Sequence, residues 1–152
     1  MDKINLVYLE NIESIKKIFN SCDWLPSVKI NNFLDKKYYE NLEKEIKKLK
    51  LKKEKTPMYY SYSKADFSSS YFFNSKEFID FVSFVIGKKI RNVELSFFSF
   101  SWRDYKIIND KSLEKPGIDI IFDFSKWDED FGGNLVYTDG LGLNSKVFTE
   151  KN

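Results

Sequence analysis

Apolar residues recur at helical spacing through the first half of the chain and alternate in the second. Lys3 to Leu9 reads as a short strand, and Asn11 to Phe19 as a helix carrying Ile12, Ile15, Ile18 and Phe19 on one side. Asp23-Trp24-Leu25-Pro26 breaks the pattern. Val28, Ile30 and Phe33-Leu34 then read as a short strand running into a turn. Asp35 is placed to cap the next helix, whose stripe is Tyr39, Leu42, Ile46 and Leu49. Glu40 with Lys44, and Glu43 with Lys47, fall at the i,i+4 spacing that supports a helix. The helix is expected to end in the charged run Lys50 to Lys55, with Pro57 as a stop. Met58 to Phe73 is rich in Tyr, Ser and Phe and reads as irregular strand and loop. Asn74 and Glu77 have capping-box spacing ahead of a helix face of Phe78, Phe81, Val82 and Val85. Phe84 adds a second apolar side, which predicts burial over most of that helix, and Gly87 suits its C-terminal stop.

After Gly87 the period changes to two. Val93, Leu95 and Phe97 alternate, then Phe98, Phe100 and Trp102 alternate in the opposite phase. Such a slip predicts a β-bulge or a strand buried on both faces. Tyr105 to Ile108 reads as a further strand. Ile118, Ile120, Phe122 and Phe124 alternate with Asp119, Ile121 and Asp123 and predict another. Leu135 to Tyr137 and Val147-Phe148 are the last short strands. Helices first and strands later is an α+β order, unlike the alternating order of a nucleotide-binding sheet.

The 152 residues suit one domain, and 42% apolar with 18% aromatic residues is ample material for a core. The net charge of +2 argues neither for nor against a polyanionic partner. Cys22 is the one cysteine, so no internal disulfide forms and no oxidising compartment is indicated. With no basic residue within two positions, Cys22 reads as structural. The N-terminus lacks a signal-peptide layout, and no apolar run approaches the roughly 20 residues of a membrane span, so a cytoplasmic location is expected. The chain contains no histidine. That excludes Ser-His-Asp triads, Cys-His pairs, His-containing zinc sites and two-His-one-carboxylate iron sites built from these residues.

Several segments in order resemble the 2-oxoglutarate- and Fe(II)-dependent oxygenases, on the prolyl-4-hydroxylase side of that superfamily. Val28-Lys29-Ile30-Asn31-Asn32-Phe33-Leu34 resembles the lead-in to the family's first long helix. Glu77 to Gly87 resembles the helix that ends in Gly before the barrel, and Asp104-Tyr105 the Gly-Asp-Tyr opening the metal-bearing strand. Phe122 to Trp127 followed by Gly132-Gly133-Asn134-Leu135 resembles the strand, acidic loop and Gly-Gly-x-Leu turn. The resemblance spans roughly residues 24 to 140 and rests on order and spacing together. It implies N-terminal helices packed on a double-stranded β-helix, or jelly roll, within a single domain 1–152: residues 1–87 are the helical part and 88–152 the first β-helix strands. It also implies an ancestral hydroxylation of a protein side chain such as proline, with Fe(II) and 2-oxoglutarate as the family's cofactors.

In that family a His-x-Asp follows the Gly-Asp-Tyr, both side chains facing one metal because strand residues alternate. In this chain those positions are Asn109 and Lys111, with Asp110 between them facing away. An amide is a weak neutral ligand, and an ammonium repels a dication. The family's third ligand and its basic co-substrate residue would lie beyond Asn152, so the resemblance implies a truncated β-helix, no metal ligands and no bound cofactor. An edge left open in this way implies either a protein partner or second chain that covers it, or a fragment whose remainder is encoded elsewhere. Tyr105 is either a co-substrate contact or, as favoured, a core tyrosine. Gly132 and Gly133 are read as a structural turn needing positive φ.

Other clusters have bland readings that prevail. Seven lysines between Lys44 and Lys55 form either an anionic-surface patch or, as favoured, a solvated helix end diluted by Glu43, Glu45 and Glu54. Tyr59, Tyr60, Tyr62, Phe67, Tyr71, Phe72 and Phe73 are favoured as packing over base stacking. Asp119, Asp123, Asp128, Glu129 and Asp130 lack the spacing of a cation loop. The reading is therefore an oxygenase-like domain without its iron site. The alternatives are a non-catalytic protein- or nucleic-acid-binding module, with nucleic acid disfavoured, and an active enzyme with a different site, which the lack of histidine opposes.

Overall fold

Four helices precede most of the strands in the computed structural model, which describes residues 3–21, 24–55, 61–65, 67, 71–91, 93–101, 104, 117–124, 135–138 and 145–148. The helices are α1 (Leu6–Glu10), α2 (Ile12–Phe19), α3 (Lys36–Ile46) and α4 (Lys76–Ile86). The strands are β1 (Lys52–Lys55), β2 (Ser61–Ala65), β3 (Phe97–Ser99), β4 (Leu135–Thr138) and β5 (Ser145–Phe148). The first three make a sheet of order β1-β2-β3, and β4 and β5 form a separate antiparallel pair. This is an α+β chain. It divides into two compact units, Met1–Lys50 with Ala65–Phe97, and Leu51–Lys64 with Phe98–Asn152. No described helix is long and apolar enough to cross a membrane.

The first unit is organised by its N-terminal segment. The Asn5 N–H donates to the Phe33 carbonyl (2.9 Å) and the Asp35 N–H to the Lys3 carbonyl (2.8 Å), which makes Ile4 and Leu34 an antiparallel bridge. Both side chains are buried. The strand predicted over Lys3 to Leu9 is thus corrected to one bridging residue followed by helix. Asn5 explains the switch, because its side chain accepts the Val7 N–H and caps α1. Asn32 adopts φ 53°, a left-handed conformation that asparagine tolerates, and turns the chain toward Phe33 and Leu34. The strand predicted for Val28 to Leu34 is likewise reduced to the single bridge at Leu34.

The helices bury part of each predicted stripe, and Ile18 of α2, expected on the apolar side, is exposed. Ile15 of α2, Leu42 of α3, and Phe78, Phe81 and Val85 of α4 are buried, together with Phe67, Phe72 and Phe73. The Phe72 and Phe73 rings each lie within 5.5 Å of the Phe78 ring, and Phe33 lies 5.1 Å from Phe81. Each such side chain contributes about 1.5–3 kcal/mol by leaving water. The Lys3 ammonium lies 5.3 Å from the Tyr38 ring centroid and 5.7 Å from that of Phe72, at the margin of this cluster. Asp35 caps α3 by accepting the Tyr38 N–H at 3.1 Å, and Glu43 pairs with Lys47 at 3.0 Å, both at the expected positions.

Three helical expectations change. The cap of α4 is Ser75, whose Oγ accepts the Phe78 N–H, rather than Asn74. The turn that buries Phe72 and Phe73 closes with Ser75 N–H on the Phe72 carbonyl and so sets this frame. Glu77 accepts the Ile4 N–H instead of a capping-box donor. Phe84 is 38% exposed, so α4 buries one face and not most of its circumference. The run Lys50 to Lys55 is no helix end: α3 stops at Ile46, and Lys52–Lys55 pairs antiparallel with β2. Charged residues have weak strand preference, and a partner backbone overrides it.

Among the strands, Ile118 to Phe124 carries no regular element, although its alternation predicts one. Ile118, Ile120 and Ile121 are exposed. Alternation reports a facing pattern, whereas strand structure also needs a neighbouring backbone to bond. Of the long alternating stretch from Val93, only Phe97–Ser99 is strand. The phase slip falls there: Phe97 meets Phe67, and Phe98 meets Tyr62, so both faces carry ring contacts.

Gly87 ends α4 at φ 69°, and a Cβ there would meet no atom within 4 Å. Its requirement is conformational, not steric crowding. Gly87→Ala is expected to lower unfolding free energy by about 1 kcal/mol, and Phe72→Ala by about 3–5 kcal/mol because it empties a fully buried site. Denaturant titration of both variants checks this. A neutral Gly87→Ala would contradict the left-handed cap.

Candidate functional site around Asp104

The β1–β2 register sorts the hairpin into two faces. Lys52 stands opposite Lys64 and Glu54 opposite Tyr62, while Lys53 stands opposite Ser63 and Lys55 opposite Ser61. Alternation puts the first four on one face and the second four on the other. On the second face Lys53 and Ser61 converge on Asp104.

The Asp104 carboxylate is 5% exposed. Its Oδ1 accepts from Lys53 Nζ (2.6 Å) and Ser61 Oγ (2.5 Å). Its Oδ2 accepts from Lys53 Nζ (2.5 Å) and the Ser101 N–H (2.9 Å). The Asp104 N–H in turn donates to the Ser101 carbonyl at 2.8 Å. The hydrogen bond from Lys53, then those from Ser61 and Ser101, outweigh the opposing effect of burial and hold the Asp104 pKa at about 2, below the ordinary 3.8.

A carboxylate offers about four lone-pair positions. Asp104 receives four donor contacts, so its acceptor capacity is used internally. A metal ligand or general base needs an oxygen available to the ion or proton. Asp104 instead ties β1, β2 and the chain just after β3 through one charge.

Tyr105, Asn109, Lys111, Gly132 and Gly133 all lie outside the described residues. Asp104, next to Tyr105 in the resemblance, is described, and its side-chain partners Lys53 and Ser61 come from 51 and 43 residues earlier. Sequence reasoning missed Lys53 and Ser61. The signal available was the polar-aromatic alternation Ser61-Tyr62-Ser63, which fits a two-faced strand. Among the described residues no three His, Cys, Asp or Glu side chains gather as a metal-binding group. A groove of about 500 Å³ along the end of α4 includes Asp80, Ser83, Lys88 and Lys89. Ser83 Oγ is occupied there as acceptor of the Ile90 N–H at 3.1 Å.

The lowered pKa sets a sign. A carboxylate depressed on folding contributes stability above its unfolded value near 3.8 and loses it as pH falls through about 2. Asp104→Asn is therefore expected to be less stable than the parent chain at pH 5–7, with the gap closing as pH approaches 2. Denaturant midpoints across that range measure it, and a gap independent of pH would refute the tie. No family model, no curated protein and no solved structure matches this chain.

Proposed function

We propose that this chain is a double-stranded β-helix domain of the 2-oxoglutarate oxygenase type that does not hold iron and serves a non-catalytic role. One observation carries the second half of this reading: the 152 residues include no histidine. A ferrous site of that type takes two imidazoles and a carboxylate on one face. Asn109 and Lys111 stand at the positions corresponding to the family's His-x-Asp. A neutral amide and a cation are a donor set that does not fit Fe(II). The adjacent carboxylate, Asp104, is saturated by Lys53, Ser61 and Ser101. These residues do not fit the family's metal.

Support for the oxygenase-like half comes from the lead-in and the helices. Leu34 is buried and the half-buried Phe33 ring meets Phe81 immediately before the Asp35 cap of α3, which suits the lead-in of the resemblance. The α4 helix ends at a left-handed Gly87 ahead of the strand-rich half. The strand β4 begins directly after the Gly132-Gly133-Asn134 segment.

Restoring the ligand pair tests the register. Asn109→His combined with Lys111→Asp should confer Co(II) binding at least tenfold tighter than that of the parent chain, read from visible d–d absorption. The parent should show neither that band nor succinate release with Fe(II) and 2-oxoglutarate. No gain in the double variant would overturn the alignment. Stoichiometric iron with succinate release in the parent would overturn the non-catalytic reading.

A further inference from the structure

The other face of the β1–β2–β3 sheet carries a feature that neither packing nor the Asp104 tie explains. Lys52 and Lys64 are directly opposed across the strands. Like charges in that position repel and destabilise a pair of strands. Among the described residues Lys52 pairs with Glu54 at 3.6 Å, and its side chain remains 83% exposed. Lys64 is exposed on the central strand, its ammonium 6.0 Å from the Phe98 ring centroid.

Beside this pair sits an aromatic group. Tyr62 meets Phe98 edge-on at 5.5 Å and Phe100 at 6.5 Å, and Phe98 and Phe100 are 6.5 Å apart. Tyr62 and Phe98 are half-buried, whereas Phe100 is 51% exposed. The two inner rings fix the orientation of the outer one. A ring held in place on a sheet, next to opposed ammonium groups, matches the two needs of a single-stranded nucleic acid: a flat surface for a base and cations for the phosphates.

We propose that this face binds single-stranded nucleic acid, with Phe100 stacking on a base and Lys52 and Lys64 contacting the backbone. A phosphate near the two lysines would relieve their repulsion, which gives the charge arrangement a purpose. Lysines on an edge strand also discourage edge-to-edge association. That role accounts for Lys52 on β1. It does not account for Lys64 on the central strand or for an exposed Phe100. A duplex hides its base faces from such a ring, so single strands are the class that fits. This surface is independent of the iron-site reading and stands or falls separately.

The test uses the full chain and fluorescein-labelled dT12 and U12 oligonucleotides, followed by anisotropy as a function of salt. Binding is expected at low salt, and the comparison of the two probes tells DNA from RNA. Phe100→Leu keeps an apolar side chain without a π face and should weaken binding about fivefold or more, while Phe100→Trp should retain it. Lys52→Gln and Lys64→Gln should each make the slope of log K against log salt shallower by about 0.7. Far-UV circular dichroism verifies that each variant is folded. Absence of binding to both probes at low salt would overturn the proposal. So would binding that Phe100→Leu leaves unchanged, or that phosphatidylserine vesicles abolish with Phe100→Leu and the parent behaving alike.

Discussion

A carboxylate withdrawn from water must find donors for both of its oxygens, and at Asp104 those donors come from three separate stretches of chain. The Lys53 ammonium arrives from an edge strand, the Ser61 hydroxyl from the central strand, and the Ser101 N–H from the segment following β3. Removing any donor leaves a charge with too few partners in a site that is 5% exposed. The cost of such an orphan exceeds the modest net value of an ordinary hydrogen bond. Because the pairing register is fixed by alternation, the same contact decides which side chains occupy each face. Lys53 and Ser61 on the Asp104 face mean Lys52, Lys64 and Tyr62 on the other.

The helical unit depends on a different device, a β-bridge of one residue on each side. Ile4 and Leu34 bring Lys3 and Asp35 into backbone contact, and the Asp35 carboxylate then caps α3. Phe33 joins Phe78 and Phe81 from the same turn. Much of this was legible in the chain. The stripe with Leu42 at its centre, the Asp35 cap and the Gly87 stop are local signals, and local signals are what spacing encodes. Ser75 and Asn74 offered two cap candidates one residue apart, and a turn bond to Phe72 made the choice. Leu135 to Tyr137 and Val147-Phe148 also lie in strands, β4 and β5.

What spacing did not reveal is non-local. Lys52–Lys55 has the composition of a solvated segment, and its strand structure comes from β2, whose residues lie 6 to 12 positions further along in the register. Asp104 was visible only as one letter of a motif, because its partners Lys53 and Ser61 are distant in sequence. The alternation at Ile118 to Phe124 was strong and still produced no strand, since periodicity carries no information about a pairing partner. For Tyr105, Asn109 and Lys111 the spacing supplies a resemblance alone, and these positions lie outside the described residues.

The charge at Asp104 serves architecture: the carboxylate is an internal counter-ion to Lys53, held also by Ser61 and Ser101. The most direct measurement is a titration of the Asp104 side-chain carboxyl carbon by NMR, repeated with Co(II) present. The midpoint is expected at about 2, with a resonance that Co(II) leaves in place. A midpoint at the ordinary value near 3.8, or a resonance shifted and broadened by stoichiometric Co(II), would contradict it.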